Sequence, residues 1–593
     1  MAEVNCVEKV SRGPLGQSNE RVLWTLLVVV ALAMRLVSLG GAPLSGAEAR
    51  EATLAWEAAG GEALAAGDYS PLLLAANTLL FTLFGAGDAV ARLWPALFGS
   101  ALVLTPALLR RHLGRGGALG AGVYLALSPT ALVASRQLDG TVVAAAGAMA
   151  LVGGLSMFSE GQQRHWLWLA AGGLAMALVS GAAGYGLLIP LGLAWLVSSE
   201  PWADGGHAWL QGVRTELKTY GRQFLLAFVV AVFALATGLG WNLSGIGAVG
   251  GLLIAWIDRF RSPGAPTASP LTLLVVYELL GFLLGVGGMV WCWYRRNRWG
   301  VLMSLWAALA FLLLVLQPGR APTDLMGVVL GLAMLAGLAL DALVRDEWSS
   351  RAAIRAVYAT LVLVLWGQAY LVLAGYAHRG DPADLVLVLI IGALQALVGL
   401  SFGFVLGPRA TLRTGVVATS LVLLGLLVSA TRGVAYTRRT DPREPLAGEA
   451  TAANVRDLVD TLRDLSWQTT GMPMTLDFVY EAAPDSVLAW TMRDFTGARR
   501  VDRLSDLSDD QWGPLLVTVD RDVGRAVGPG PDYVGLDFPL RRRWTPAALT
   551  CRLWESDCAT AVGWYLFRDS PPFPAPAERA ILWRRVEAGG GDG

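Results

Sequence analysis

The chain has 593 residues, of which 54% are hydrophobic and only 16% are charged, with equal numbers of acidic and basic side chains. This composition excludes a wholly soluble protein and is typical of a polytopic membrane protein with an attached polar part. The balanced charge also argues against nucleic acid as a partner, because nucleic-acid-binding surfaces carry an excess of lysine and arginine.

The chain begins with a polar segment, residues 1–20. The apolar run after it has no small-residue cleavage site, so we expect a retained helix rather than a signal peptide. About 20 apolar residues are needed for each helical crossing. The run at residues 166–198 is too long for one crossing, and its glycines at 181–184 predict a break into two. Thirteen spans are predicted, at residues 22–39, 88–111, 116–134, 140–158, 166–198 (two), 223–241, 271–294, 299–317, 324–344, 355–377, 384–406 and 415–431.

The apolar run at residues 71–84 is the doubtful case, since its 14 residues suit a re-entrant or interfacial helix better than a crossing. Short cytoplasmic loops collect lysine and arginine. If this run does not cross and the N-terminus is inside, most loop arginines lie inside, whereas a crossing would invert the pattern. Residues 40–87 then form one external loop with its own helices.

The polar tail lies outside after an odd number of spans, and its pattern predicts a small α/β domain. Residues 455–465 have one apolar helical face, residues 487–495 read as a second helix, and strands are predicted at 474–480, 515–519 and 533–540. Cys551 and Cys558 could form a disulfide in an oxidising compartment. Only two of the 46 basic residues are lysines, which indicates a GC-rich genome and fits a bacterial plasma membrane.

Three outward-facing segments bring ionisable groups to the mouth of the helical bundle, where such groups are costly and tend to be functional. The first, an acidic stretch after span one, holds Glu48 and Arg50. The second, between spans three and four, ends with Arg136 and Asp139, and the third, after span seven, holds Arg259. All three are predicted on the same side of the membrane.

The arginines of these segments are candidate partners for a lipid phosphate, because a guanidinium presents donors in a fork that matches phosphate oxygens. The alternative is pairing with headgroups or nearby acids, as Arg259 could pair with Asp258, and we favour that for Arg261. Residues 247–260 read as an amphipathic surface helix that could cover a lipid groove. The sequence shows no nucleotide-binding glycine loop, so a nucleotide sugar is not the expected donor.

Several short motifs, in this order and spacing, resemble the GT-C glycosyltransferases that use polyprenyl-phosphate sugars, especially the protein mannosyltransferase (family 39) and aminoarabinose transferase branch. The resemblance covers residues 21–198 well and extends beyond them only in hydropathy. It rests on Arg35, Pro43-Leu44, Ser70-Pro71-Leu72, Leu83-Phe84-Gly85, Ala91-Arg92-Leu93-Trp94-Pro95-Ala96, Ser128-Pro129, Ser135-Arg136 and Asp139.

This resemblance implies a mainly α fold, a GT-C-like transmembrane helix bundle with a C-terminal extracytoplasmic α/β domain. The expected domains are a cytoplasmic tail at 1–20, a transmembrane domain at 21–435 that includes the external loop 40–87, and the external domain at 436–593. The implied reaction moves a sugar from a polyprenyl-phosphate donor to a lipid, protein or glycan acceptor at the outer face.

In that family an acidic residue of the first external loop is the candidate base for the acceptor hydroxyl, a task that suits a carboxylate. The family usually has Asp-Glu there, whereas this chain has Ala47-Glu48, so Glu48 is the predicted base. Asp139 is the second predicted catalytic residue, assisting the acceptor or, together with Glu48, holding a divalent metal ion. The remaining predicted substrate contacts are Arg50, Tyr69, Ser70, Arg136 and Arg259.

Plainer readings of the same residues stay open. Glu48 could be an interfacial acid that opens an amphipathic helix, and Asp139 a helix cap, because carboxylates favour helix N-termini. A transporter or flippase-associated protein is the alternative function. The absent acid at Ala47 also leaves open a catalytically inactive relative that binds envelope glycans.

Overall fold

The computed structural model describes thirteen stretches of the chain, which together hold both the membrane part and the C-terminal domain. These stretches are residues 17–62, 67–161, 163–198, 207–262, 268–344, 351–483, 486–506, 508, 511–521, 529–530, 532–544, 556–569 and 574–586.

Residues 17–432 form the helical membrane part. Its helices are α1 (Gln17–Leu36), α2 (Gly46–Ala59), α3 (Pro71–Phe84), α4 (Asp88–Ala91), α5 (Leu93–Leu102), α6 (Thr105–Leu108), α7 (Arg110–Leu113), α8 (Arg115–Leu127), α9 (Pro129–Ser135), α10 (Thr141–Gly161), α11 (Arg164–Val179), α12 (Ala183–Ser198), α13 (His207–Thr237), α14 (Gly245–Asp258), α15 (Pro270–Tyr277), α16 (Leu279–Tyr294), α17 (Arg298–Leu316), α18 (Met326–Val344), α19 (Ala352–Arg379), α20 (Pro382–Leu406) and α21 (Pro408–Arg432).

Within the described residues, eight helices are long and apolar enough to cross a membrane, or up to ten if each of two bent helix pairs counts as one span. All of these coincide with predicted spans. The other three of the thirteen predicted spans correspond to α1, α11 and α12. The last two have only 16 residues each, so they are short for a crossing, as expected for one long apolar run divided in two.

The doubtful run at residues 71–84 forms α3, which has 14 residues and is too short to cross. Ser70 caps its N-terminus and Pro71 occupies its first turn, where a missing N–H costs nothing. Together with α2 it forms a pair of short helices between the first and second predicted spans. The predicted surface helix at 247–260 is likewise present as α14, which begins and ends two residues earlier.

The break between α11 and α12 lies at residues 180–182, close to the predicted glycines. It brings the Ser180 carbonyl oxygen so close to Gly140 that a Cβ at Gly140 would lie only 1.7 Å away. Only glycine therefore fits after Asp139. This close approach fixes the chain at the start of α10, where Asp139 stands.

Helices α10 and α11 pack with their backbones in close contact. A Cβ at Gly173 would lie 2.6 Å from the Gly147 carbonyl oxygen, and one at Gly147 would lie 2.6 Å from the Gly173 carbonyl oxygen. Small residues at such an interface let two membrane helices approach until their backbones touch.

We expect Gly173→Val to destabilise the protein by about 1–3 kcal/mol, because the branched side chain would force these two helices apart. The neighbouring Gly172 provides the matched control, since a Cβ there meets nothing within 4 Å. Thermal unfolding in detergent, followed by tryptophan fluorescence, should show a lower midpoint for Gly173→Val only. Equal shifts in both variants would contradict the packing argument.

Two bent helix pairs meet at a buried carboxylate. The axis turns by 59° between α8 and α9 and by 104° between α15 and α16, where Glu278 stands at the bend. The Glu278 carboxylate accepts hydrogen bonds from Tyr124 Oη at 2.5 Å, Ser128 Oγ at 2.6 Å and Thr130 N at 3.0 Å. The donors at and before the bend between α8 and α9 therefore bind the carboxylate at the bend between α15 and α16.

The C-terminal domain has a mixed five-stranded sheet with strand order β2-β1-β3-β5-β4, in which β1 is parallel to β2 and β3, and β5 is antiparallel to β3 and β4. Its elements are α22 (Val455–Thr470), α23 (Val487–Met492), α24 (Ser556–Phe567), β1 (Phe478–Glu481), β2 (Ala498–Val501), β3 (Leu515–Asp520), β4 (Tyr533–Arg543) and β5 (Ala575–Arg585). The predicted apolar face of α22 is buried at Val455, Leu458 and Leu462. The mainly α fold with a C-terminal α/β domain is thus confirmed, while β2, β5 and α24 were not predicted.

The domain is attached to the membrane part by buried polar contacts. Glu444, 1% exposed, is paired with Arg438 at 2.8 Å and Arg568 at 3.2 Å, and it accepts a hydrogen bond from Tyr277 Oη at 2.6 Å. Because Tyr277 ends α15, this cluster ties the domain directly to a membrane helix.

A second contact joins the domain to the external loop. Trp490 on α23 donates its indole N–H to Asp88 Oδ1 at 2.9 Å, and Arg456 pairs with the same carboxylate at 3.2 Å. Of the predicted disulfide, Cys558 is disulfide-bonded, while Cys551 lies outside the described residues, so the pairing stays a prediction.

Candidate active site

The acidic residues of the first external loop are carried by α2. Ser45 caps this helix in a capping box, in which its hydroxyl accepts the Glu48 N–H at 3.4 Å and the Glu48 carboxylate accepts the Ser45 N–H at 2.8 Å. The predicted base therefore also has a local role in starting the helix, as the plainer reading of the sequence proposed.

Glu48 is 3% exposed and its carboxylate is fully occupied. Arg92 makes a two-point ion pair with it, Nε to Oε1 at 2.7 Å and Nη2 to Oε2 at 2.8 Å, and the Leu138 N–H donates to Oε1 at 2.7 Å. Burial alone would raise the pKa of Glu48, but Arg92 and the N–H groups of Ser45 and Leu138 outweigh burial and hold the pKa below its usual value.

This environment does not suit the role of base that the sequence predicts for Glu48. A proton acceptor needs a free lone pair that faces the acceptor hydroxyl and a pKa near the working pH, and Glu48 has neither. Nor does it fit a metal site shared with Asp139, because a guanidinium against both oxygens occupies the place of a cation. Among the described residues, no group of three or more His, Cys, Asp and Glu is arranged to hold a metal ion.

Glu51 lies one turn further along α2 and is half-buried. Its two oxygens share one weak donor, the Ser70 N–H, at 3.3 Å each. Burial raises the pKa of Glu51 to about 7, with Ser70 and Arg50 acting against the shift and the carboxylates of Asp68 and Asp139 adding to it.

Asp139 precedes α10 and accepts three hydrogen bonds. Its Oδ1 accepts the Thr141 N–H at 3.1 Å, and its Oδ2 accepts the hydroxyls of Thr141 at 2.6 Å and Thr323 at 2.9 Å. The hydrogen bond from the Thr141 N–H, at the start of α10, agrees with the helix-cap reading. The carboxylate also lies close enough to Glu51 and Arg259 to raise the pKa of both.

Arg259 follows α14 and pairs with Asp324 at 2.8 Å, not with the adjacent Asp258. The pKa of Arg259 is raised, mainly by Asp324 and also by Asp139, against the effect of burial. Arg261, in contrast, has an 80% exposed side chain and reaches only Asp258, at 4.0 Å. The structure thus brings Arg259 to Asp139 and leaves Arg261 at the surface.

A cavity beside Arg259 and Asp324 is lined by both apolar and polar side chains. The apolar ones include Leu187, Ala310, Leu313 and Leu314, and the polar ones are Thr141, Trp256, Arg259, Gln317 and Asp324. Within the described part of the chain, the buried Trp256 Nε1 and Gln317 Nε2 have no hydrogen-bond partner. Unpartnered buried donors are costly, so these two groups suit a ligand that carries acceptor oxygens.

Arg136 does not reach this cavity. Its guanidinium closes the end of α1 and lies over the Tyr436 ring, 4.6 Å from the centroid. It donates to the carbonyl oxygens of Met34 (3.0 Å), Arg35 (2.9 Å), Val37 (2.9 Å) and Ser38 (3.0 Å). Both terminal nitrogens are bound to backbone carbonyls, which gives Arg136 a structural role, and lipid-phosphate binding by Arg136 stays a prediction.

The other predicted substrate contacts have local partners. Arg50 pairs with Asp68, Nη1 to Oδ2 at 3.2 Å. Tyr69 is 3% exposed, and its hydroxyl lies 3.1 Å from Ser244 Oγ. Ser70 caps α3 with its side chain and meets Glu51 with its N–H. Tyr69 thus connects the external loop to the start of α14, and Ser70 contacts Glu51.

The sequence predicts no site role for four residues of this region: Glu51, Trp256, Gln317 and Asp324. Glu51 and Trp256 lie in two of the predicted outward-facing segments, and Asp324 and Gln317 are polar residues at the ends of predicted spans. The residues that lie near them in the structure are far away in sequence, so their convergence had no local signal.

The arrangement of the helices and the C-terminal domain is shared with solved structures of ArnT, which confirms the predicted fold class. The chain is similar to ArnT from Cupriavidus metallidurans at 18% identity and a TM-score of 0.52, both bound to undecaprenyl phosphate and in the apo state. The first match covers 84% of this chain and 92% of ArnT, and the second 85% and 93%.

A weaker similarity, with a TM-score of 0.46 and 12% identity, relates the chain to the Archaeoglobus fulgidus oligosaccharyltransferase tethered with an acceptor peptide, covering 83% of this chain and 65% of that one. Neither a protein-family model nor a curated protein matches the sequence. At these identities the similarity shows a shared fold.

Proposed function

We propose that this multi-pass membrane protein is a glycosyltransferase that moves a sugar from a polyprenyl-phosphate donor to an acceptor at the extracytoplasmic face of a bacterial plasma membrane. In this proposal the N-terminal tail is cytoplasmic and the C-terminal domain lies outside. The observation that carries the proposal is the cavity beside Arg259, which is lined by apolar side chains and by the unpartnered donors of Trp256 and Gln317.

A polyprenyl phosphate matches this cavity chemically. Its isoprenoid chain suits the apolar lining that includes Leu187 and Leu314, and its phosphate oxygens are acceptors for Trp256 Nε1, Gln317 Nε2 and the Arg259 guanidinium. ArnT, which shares the fold, has been observed bound to undecaprenyl phosphate. The Asp139 carboxylate lies next to this cavity, because Thr141 lines the cavity and donates to Asp139, and its charge also acts on Glu51 of α2.

Asp139 has a supporting role in this reaction. Two threonine hydroxyls, those of Thr141 and Thr323, hold its carboxylate at the start of α10. From there its charge acts on both Arg259 and the external loop. We assign it to orienting the acceptor hydroxyl, next to the group that takes the proton.

Donor binding is the direct test. We expect Arg259→Ala and Trp256→Phe to weaken the binding of undecaprenyl phosphate to the purified protein by about 10- to 100-fold, because each removes a donor to a charged oxygen. Arg261→Ala is the matched control, since this arginine is exposed two residues away. Binding is measured by retention of the radiolabelled lipid, with undecaprenol as the uncharged comparison.

Equal retention of undecaprenol and undecaprenyl phosphate, or unchanged binding in both variants, would contradict this assignment. A transporter of the same lipid would bind it without breaking a bond, so transfer is measured separately. We expect membranes that contain the protein to release undecaprenyl phosphate from undecaprenyl phosphate mannose or from undecaprenyl phosphate aminoarabinose. No release from either donor would count against the proposed function and favour an inactive relative.

A further inference from the structure

Two of the three carboxylates on α2, those of Glu48 and Glu51, have opposite environments. Glu48 is buried and receives four hydrogen bonds at 2.7–2.8 Å, two of them from Arg92. Glu51 is half-buried and receives only the Ser70 N–H, shared between both oxygens at 3.3 Å. Only Glu51 therefore has lone pairs left for a substrate hydroxyl.

The position of Glu51 on the helix also bears on the residue missing from the family pattern. Residues four apart in an α-helix lie on the same face, one turn apart. Ala47 is exposed and Glu51 is half-buried, and the carboxylate of Glu48, three residues before Glu51, is held by Arg92. The face on which the related enzymes carry their first acid thus carries a carboxylate in this chain too, one turn later.

We propose that Glu51 is the catalytic base, and that the acid absent at Ala47 has moved one helical turn to Glu51. This inference rests on the proposed function and deepens it. In the step, the acceptor hydroxyl oxygen bonds to the anomeric carbon of the sugar and its proton passes to the Glu51 carboxylate. The bond between the anomeric carbon and the phosphate oxygen breaks, and its electron pair leaves with the polyprenyl phosphate.

The electrostatic surroundings suit this role. The charged groups that face Glu51 are Arg50 on its own helix, Asp68 before α3 and Asp139 before α10. With two carboxylates against one guanidinium, and with burial, the pKa of Glu51 is raised to about 7. A base with this pKa is ionised in part of the protein at neutral pH and holds the transferred proton well. Transfer should therefore decline as the pH falls below about 7.

The test compares Glu51→Gln with Glu57→Gln, which alters another acid of the same helix near Glu62 and Arg500. Release of undecaprenyl phosphate from whichever of the two donors the parent protein uses is measured against pH. We expect Glu51→Gln to lower the rate by about 10²- to 10⁴-fold, the usual contribution of a positioned base. Its binding of undecaprenyl phosphate and its melting temperature should stay those of the parent, and Glu57→Gln should behave as the parent throughout.

A second variant tests the move along the helix. In Ala47→Asp combined with Glu51→Gln, a carboxylate is restored one turn earlier on the same face, and we expect about tenfold or greater recovery of the rate over Glu51→Gln alone. The pH midpoint should also fall, because the new carboxylate is more exposed.

Full activity in Glu51→Gln would overturn the assignment while leaving the proposed function intact, since the parent would still release the lipid phosphate. Loss of lipid binding together with activity would also overturn it, because a base is not needed for donor binding. Failure of the parent itself would instead count against the function.

Discussion

Arg92→Leu is expected to lower the free energy of unfolding by about 3–5 kcal/mol, because it leaves the buried Glu48 carboxylate without its counter-ion. Glu48 and Arg92 are 3% and 4% exposed and meet at two points. Arg92 also donates to the carbonyl oxygens of Leu39, Ala42 and Pro43. The variant would therefore loosen the whole connection between the first span and α2.

Chemical or thermal unfolding in detergent measures this loss, with an exposed ion pair as the matched control. Arg463 and Asp460 lie 2.8 Å apart, much as Arg92 and Glu48 do, but their side chains are 46% and 62% exposed. Arg463→Leu should change stability by less than about 1 kcal/mol, since water solvates the remaining carboxylate. Equal effects of the two leucine variants would show that burial of the pair is not what matters.

Glu48→Leu combined with Arg92→Leu separates the charge penalty from packing. Removing both charges leaves no buried ion, so the double variant should be more stable than Arg92→Leu alone.

The dependence of the protein's stability on pH has a definite sign. Because the folded pKa of Glu48 lies below its ordinary value, its stabilisation is present at neutral pH and is lost as the pH falls through the folded pKa.

The hydrophobic pattern was sufficient to predict the membrane part, because a crossing is dictated by a long run of apolar residues within one stretch of chain. Even the division of residues 166–198 was visible, since Gly181 allows a backbone conformation (φ +156°) that side chains rarely adopt. The strand β5 was not predicted, because its apolar and polar residues alternate only weakly and its partner strands β3 and β4 lie far earlier in the sequence.

Of the residues predicted for the site, Asp139 and Arg259 lie close enough for their charges to interact, while Glu48 is held by Arg92. The sequence places Glu48, Asp139 and Arg259 on one side of the membrane, and the structure does bring Asp139 and Arg259 together. The assignment of Glu48 could not be checked from sequence, because its partner Arg92 lies 44 residues away. Which of two acids on one helix faces a cation depends on that long-range contact, and no local periodicity reports it.

Glu278→Leu is expected to destabilise the membrane part by about 3 kcal/mol or more, because it leaves three donors without an acceptor. These are the hydroxyls of Tyr124 and Ser128 and the Thr130 N–H, all at the bend between α8 and α9. An apolar residue of similar size can fill the space but cannot accept those bonds. Inside a bilayer the freed donors also find no water.

The graded variant is Tyr124→Phe, which removes one donor and leaves the carboxylate with two, so we expect a loss of about 1–2 kcal/mol. Asp258→Asn is the control, because that carboxylate is largely exposed at the end of α14. The unfolding midpoints in detergent should fall from Asp258→Asn, the highest, through Tyr124→Phe to Glu278→Leu, the lowest. A Glu278→Leu protein with parental stability would show that the two bends hold their shape through helix packing alone.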